Sequence, residues 1–122
     1  MLIFDFEKYI DENRYSYSAI ITDIYDGDTV TCNIDVGFGI VLHKRKIRLL
    51  GIDTPEVRGE EREEGLKARD WLRELVLGKE IILYTVKDRT GKYGRLLGII
   101  YYNDENINKK LVDAGYARYA FY

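Results

Sequence analysis

The spacing of apolar residues changes along the chain, and the order of these changes restricts the fold more than any other feature. Three runs rich in β-branched and aromatic residues come first, at residues 17–25, 29–36 and 40–50, and each is followed by a glycine-containing turn. Composition and alternation of this kind predict β-strands. Over residues 66–76 the apolar residues instead recur every three or four positions, which predicts one face of a helix.

The second half of the chain repeats this change of period. Residues 80–86 and 96–102 have strand composition, and residues 107–114 have helical spacing that ends at Gly115. Three strands, a helix, two strands and a helix predict a mainly β, α+β domain: a five-stranded OB-fold barrel with two or three helices. We expect residues 15–122 to form this domain, preceded by residues 1–14 as an arm or a short helix.

Composition restricts the class of protein. A chain of 122 residues with 46% hydrophobic residues can form one core, and the single cysteine, Cys32, excludes an internal disulfide framework. Residues 1–10 lack a basic start and their apolar residues are interrupted by acids, which is a poor signal peptide. We therefore expect a monomer without membrane association, cytoplasmic as numbered, and secreted only if a signal was removed.

Two aspartates lie where strand patterns end. Asp28 follows the turn after the first run, and Asp53 closes the run that begins at residue 47. Hard cations such as Ca²⁺ prefer oxygen ligands, so two carboxylates meeting across strand ends can hold one ion. The alternative for each aspartate alone is a turn role, because Asp-Gly and Asp-Thr-Pro are common turn sequences.

Two arginines and one glutamate are candidates for catalysis. Arg48 and Arg95, if aimed at one phosphate, can stabilise the charge of a phosphorus transition state. Glu56, three residues after Asp53, can orient or deprotonate a metal-bound water. The alternative for all three is a solvated surface position. The net charge of -2 disfavours binding to phosphates, although residues 43–46 with Arg48 form a local basic patch.

Together, three motifs resemble the staphylococcal nuclease family. Residues 26–30 read Asp-Gly-Asp-Thr-Val, residues 48–56 read Arg-Leu-Leu-Gly-Ile-Asp-Thr-Pro-Glu, and residues 92–95 read Lys-Tyr-Gly-Arg. They match in order and spacing, and the resemblance runs from about residue 17 to residue 120. It implies an OB-type barrel with one calcium ion and a calcium-dependent endonuclease. Such an enzyme cleaves single-stranded or frayed DNA and RNA and leaves 3′-phosphate ends.

The resemblance also implies a role for each matching position. The implied calcium ligands are the carboxylates of Asp28 and Asp53 and the backbone carbonyl of Thr54, with Asp26 as an acid behind them. The implied catalytic residues are Arg48, Glu56 and Arg95. The implied substrate-binding residues are Lys92, Tyr93 and Phe121. Phe121 stands at the position of the family's pocket tyrosine, and Tyr119 or Tyr122 can take the place of that tyrosine.

The sequence also leaves a second function open, a catalytically weak or inactive OB-fold module that binds nucleic acid or a protein. The acidic balance of the chain favours this module. The enzyme is favoured because all the positions implied for metal binding and catalysis carry the required residue types.

Overall fold

The computed structural model describes residues 2–10, 14–90 and 95–121, with side chains for all of these except residues 87–90. Two short 3₁₀ helices cover Phe6–Tyr9 and Gly59–Glu61. The remaining elements, in chain order, are β1 (Ser16–Asp26), β2 (Thr29–Gly37), β3 (Ile40–Leu49), β4 (Ile52–Asp53), α1 (Arg62–Val76), β5 (Glu80–Thr90), β6 (Leu96–Tyr102), β7 (Glu105–Asn106), α2 (Ile107–Asp113) and β8 (Arg118–Tyr119).

The five long strands form a closed barrel. Their sheet has the order β3-β2-β1-β5-β6-β7, and a parallel pairing of β3 with β6 joins the two sides. The predicted OB-type α+β fold is therefore confirmed. The prediction missed three strands of two residues each, β4, β7 and β8, because segments this short carry no readable period. Helix α1 begins at Arg62, ahead of the apolar residues at 66–76 that predicted it, and its first turn is charged.

The core lies inside the barrel and under α1. Ile47 and Leu49 are fully buried, so Arg48 between them projects to the other face of β3. Cys32 is also fully buried, and this burial raises the pKa of its thiol to about 12, so the thiol is packed rather than reactive. Within the described ranges, no helix combines the length and the apolar character needed to cross a membrane.

Aromatic residues near the amino terminus pack beneath the segment that leads into β4. Phe4 and Phe6 belong to the core, and the Phe4 ring lies 2.5 Å from the point that a Cβ atom on Gly51 would occupy. Gly51 also has a φ of 82°, so the backbone reaches β4 through a conformation that favours glycine. Residues 4–6 thus help to set the position of the residues that follow Gly51.

Asn108 joins three parts of the fold from inside the core. This α2 side chain is completely buried. Its amide nitrogen donates to the carbonyls of Leu50 (2.9 Å) and Gly98 (3.1 Å), and its amide oxygen accepts from the backbone N–H of Ile100 at 3.1 Å. It therefore ties α2 to β6 and to the turn that precedes β4.

Candidate active site

The turn between β1 and β2 is bonded directly to the segment after β4. The backbone N–H of Thr54 donates to Oδ2 of Asp28 at 3.0 Å, across 26 residues of sequence. Within the turn, the Asp28 backbone N–H donates to Oδ1 of Asp26 at 3.1 Å. Asp26, Asp28 and Thr54 are all buried. The two polar stretches that were far apart in sequence therefore form one site.

Arg48 lies between the two candidate metal ligands. Its Nη2 atom is 3.3 Å from Oδ2 of Asp28 and donates a short hydrogen bond to Oδ1 of Asp53. Its Nη1 atom donates to the carbonyls of Leu49 and Ile52, each at 2.9 Å. Two carboxylates thus face a single point, and the guanidinium at this point offsets part of their charge.

Arg95 reaches the same site from the start of β6. Its Nη1 atom lies 3.4 Å from Oγ1 of Thr29, and the Thr29 hydroxyl donates to Oδ1 of Asp28 at 3.3 Å. Glu56 is exposed, and its charge contributes to raising the pKa of Asp26. The structure therefore brings together Asp26, Asp28, Arg48, Asp53, Thr54, Glu56 and Arg95.

The backbone of Glu56 is positioned by α1. A Cβ atom on Gly65 would lie 2.1 Å from the carbonyl oxygen of Glu56 and 2.8 Å from that of Pro55. Only a residue without a side chain lets the loop approach the helix this closely. Helix α1 thereby fixes the position of the loop that carries Glu56.

Replacing Gly65 with alanine should lower both stability and activity, although alanine is the better helix former. The added methyl group collides with backbone rather than with a flexible side chain, so we expect a loss of about 1–3 kcal/mol of unfolding free energy. Urea denaturation and the rate of cleavage measure the two effects. Lys67→Ala, at an exposed position of α1, is the control; a Gly65→Ala protein as stable as this control would contradict the proposed contact.

The predicted aromatic residues lie beside the amino-terminal aromatics. The Tyr119 ring is 6.4 Å from that of Phe6, and the Phe121 ring is 5.8 Å from that of Phe4. Lys92, Tyr93 and Tyr122 lie outside the described residues. Sequence reasoning missed Arg118, which pairs with Asp53 across the β4–β8 ladder and brings a further cation close to the site.

Burial raises the pKa of Asp26 from its ordinary value of 3.8 to about 7, and the neighbouring Asp28 and Glu56 carboxylates add to this rise. A proton on Asp26 therefore stabilises the folded state, since the unfolded chain binds it only near pH 4. This contribution is complete below the unfolded pKa and is lost as the pH rises through about 7.

We accordingly expect the protein in chelator to be more stable at pH 6 than at pH 8, by on the order of 1 kcal/mol. Asp26→Asn removes the titrating group and should flatten this part of the stability profile. The urea midpoint as a function of pH is the measurement. A wild-type midpoint that rises between pH 6 and pH 8 would contradict the assignment.

The donors at this site suit a hard divalent cation. They are carboxylate oxygens of Asp28 and Asp53 together with the polar groups of Thr54, whose buried hydroxyl oxygen has no hydrogen-bond partner among the described residues. In that same part of the chain, no three His, Cys, Asp or Glu side chains form a ready metal cage. Backbone and water oxygens would therefore have to complete the coordination of an ion such as Ca²⁺.

Comparison with known proteins agrees with this geometry. The family model described as staphylococcal nuclease homologue matches residues 46–122, which carry five of the seven site residues. The chain belongs to the staphylococcal nuclease family. This confirms the resemblance that the three motifs indicated, and the OB-type barrel agrees with it.

Nuclease-family relatives align with most of this chain. An uncharacterized endonuclease of Haemophilus influenzae is 34% identical over 105 residues, which are 86% of this chain and 53% of that protein. A thermonuclease of Staphylococcus intermedius is 29% identical over 108 residues (86% and 61%). A thermonuclease of Staphylococcus hyicus is 28% identical over 113 residues (90% and 62%). The chain thus spans less than two thirds of each of these relatives.

Proposed function

We propose that this protein is a calcium-dependent endonuclease that hydrolyses single-stranded or frayed DNA and RNA and leaves 3′-phosphate ends. The observation that carries the proposal is the contact of Arg48 with both Asp28 and Asp53. Two acids and a guanidinium from two separate stretches meet at one point, and Arg95, from a third stretch, approaches through Thr29. Family membership and relatives named thermonuclease and endonuclease support the same activity.

In the proposed mechanism, Asp28, Asp53 and the Thr54 carbonyl hold the ion, which would supply a Lewis acid for one phosphate oxygen. Glu56 accepts a proton from the attacking water. The water oxygen bonds to phosphorus, the bond to the 5′ oxygen breaks, that oxygen takes a proton from solvent to leave as a hydroxyl, and the phosphate stays on the 3′ side. Arg48 and Arg95 offset the charge that builds up on the phosphate oxygens.

The contacts of Arg48 determine when this residue can turn to the phosphate. In the described state its guanidinium partly balances the charges of Asp28 and Asp53. It can turn to a phosphate at low cost only when another positive charge takes over this balance, because a buried carboxylate without a partner is strongly destabilising. We therefore propose that cation binding and the availability of Arg48 to substrate are coupled.

The same contacts favour the second candidate, a barrel that binds nucleic acid or a protein without cutting it. Arg48 is bonded to both carboxylates, so each has a cationic partner without an ion. Under this alternative, Asp28, Arg48 and Asp53 form a structural ion network. The two functions predict different responses to calcium.

The test is the release of soluble fragments from denatured DNA and from RNA, with calcium and then with a chelator. We expect calcium-dependent release that Asp53→Asn abolishes and that Asp70→Asn, an exposed carboxylate on α1, leaves unchanged. Products should become extendable by a polymerase only after phosphatase treatment. Retention of DNA without fragments, with or without calcium, would overturn the enzyme and favour the binding module.

A further inference from the structure

The turn between β2 and β3 presents a large apolar side chain in a backbone conformation that disfavours it. Gly37 pairs with Ile40, so Phe38 and Gly39 form a two-residue hairpin turn with φ values of 59° and 75°. This is the pattern of a type I′ turn, whose first position normally carries asparagine or glycine. The Phe38 side chain is 100% exposed. Neither burial nor backbone preference within the chain therefore favours phenylalanine here.

The strand that follows this turn carries a row of cations. Lys44, Arg45 and Lys46 are all exposed, and none of them forms an ion pair within the described part of the chain. Lys44 lies at an irregularity of the β2–β3 ladder, where its N–H donates to the Asn33 side chain at 3.0 Å. In a chain of net charge -2, this strand is a local concentration of positive charge that attracts anions.

These cations continue the positive side of the candidate active site. Lys46 pairs with Thr31 and Arg48 with Thr29, so the two basic residues project from the same face of β3. Thr29 is also the residue that Arg95 contacts. The ten residue steps from Arg48 to Phe38 would span at most about 33 Å if fully extended, roughly the length of ten stacked nucleotides.

We infer that the β2–β3 hairpin is a remote binding arm for the single-stranded substrate. Lys44 and Lys46 contact its phosphates, and Phe38 stacks on a base about ten nucleotides from the cleavage point. The inference rests on the proposed function, since the strand held by the arm is the strand that reaches the site. Cations along a groove with an exposed aromatic ring are how proteins hold single strands without sequence preference.

The test compares two labelled oligothymidylates, one of about 4 nucleotides, too short to reach the hairpin, and one of about 20, long enough to do so. Affinity is measured by fluorescence anisotropy in chelator, and cleavage is measured in parallel with calcium. Phe38→Asn should weaken binding of the long oligonucleotide about tenfold, the effect of losing one stacked base. It should leave the short one unaffected. The melting temperature should stay the same or rise, because asparagine suits the turn.

A second variant tests the cations. Lys44→Ser combined with Lys46→Ser removes two phosphate contacts, so the slope of log affinity against log salt should fall by about 1.4 for the long oligonucleotide. Ile82→Thr changes a half-exposed apolar residue on β5 and should leave both affinity and slope unchanged. A general loss of stability would not alter the salt slope in this way.

The outcomes separate the arm from the nuclease activity. Equal wild-type affinity for the two lengths, or unchanged binding by Phe38→Asn, overturns the arm even if the protein cuts DNA. Length-dependent binding that Phe38→Asn weakens supports the arm even if no cleavage is seen. An anionic lipid surface is the competing partner. Loss of binding to phosphatidylserine vesicles by Phe38→Asn, with unchanged oligonucleotide affinity, overturns the proposal.

Discussion

Replacing Arg95 with alanine lowers kcat on denatured DNA by about a hundred-fold or more, while the protein remains folded. The guanidinium of Arg95 contacts Thr29 next to Asp28, where the proposed mechanism places the charge that develops on the phosphate. Its loss removes a positioned charge from the transition state, so kcat falls more than substrate affinity. Steady-state kinetics with calcium measure the fall in kcat, and circular dichroism shows whether the variant remains folded.

Two further substitutions serve as comparisons for Arg95→Ala. Arg95→Lys should recover little of the rate, because an ammonium group does not reproduce the two-pronged contact of a guanidinium with phosphate. Arg62→Ala, at an exposed position where α1 begins, should match the wild type. Normal turnover by Arg95→Ala would contradict the assigned role and leave Arg48 as the candidate phosphate ligand.

The largest loss of stability should come from Asn108→Ala. Its side chain satisfies the backbone groups of Leu50, Gly98 and Ile100 in the core. Removing it leaves three buried polar groups without this partner, and we expect a cost of about 3 kcal/mol or more. The measurement is the urea midpoint at constant m-value. Activity should fall as well, because the turn at Leu50 leads into the β4 strand that carries Asp53.

Asn106→Ala is the matched control for this prediction. Asn106 is also on the β7–α2 segment, but its half-buried side chain caps α2 by accepting from the N–H of Lys109 at 3.0 Å. Losing this cap costs about 1 kcal/mol. If the two variants were equally stable, Asn108 would not be the internal tie that its hydrogen bonds indicate.

The elements with a clear period could be predicted from the sequence. Strands β1, β2 and β5 and helix α1 bury a face at regular spacing, whereas β3 and β6 have strand composition without regular burial, and both signals are local. The ladder of β4 with β8 has no such pattern, because each strand has two residues. Its pairing depends on tertiary packing, in which the end of the chain packs against the aromatic residues 4 and 6. This is why Arg118 could not be placed beside Asp53 beforehand.

The candidate site was predictable by residue type and not by contact. Motif order pointed to Asp28, Asp53, Arg48 and Arg95, while the placement of Arg48 between both acids depends on how the barrel closes. For Asn108, in contrast, the residue type did not indicate the role. A polar residue in a short helix reads as exposed, and only the three backbone groups around it explain its burial. Such a role belongs to tertiary structure and leaves no local pattern.

Calorimetric titration with calcium, in the presence of an uncleavable nucleotide, tests the central claim most directly. We predict one saturable site in the wild type, lost in both Asp28→Asn and Asp53→Asn and retained in Asp70→Asn. Each acid would then be a necessary ligand of a single ion. Undiminished calcium binding by either of the first two variants would show that these carboxylates do not share an ion, and the assignment of the site would fail.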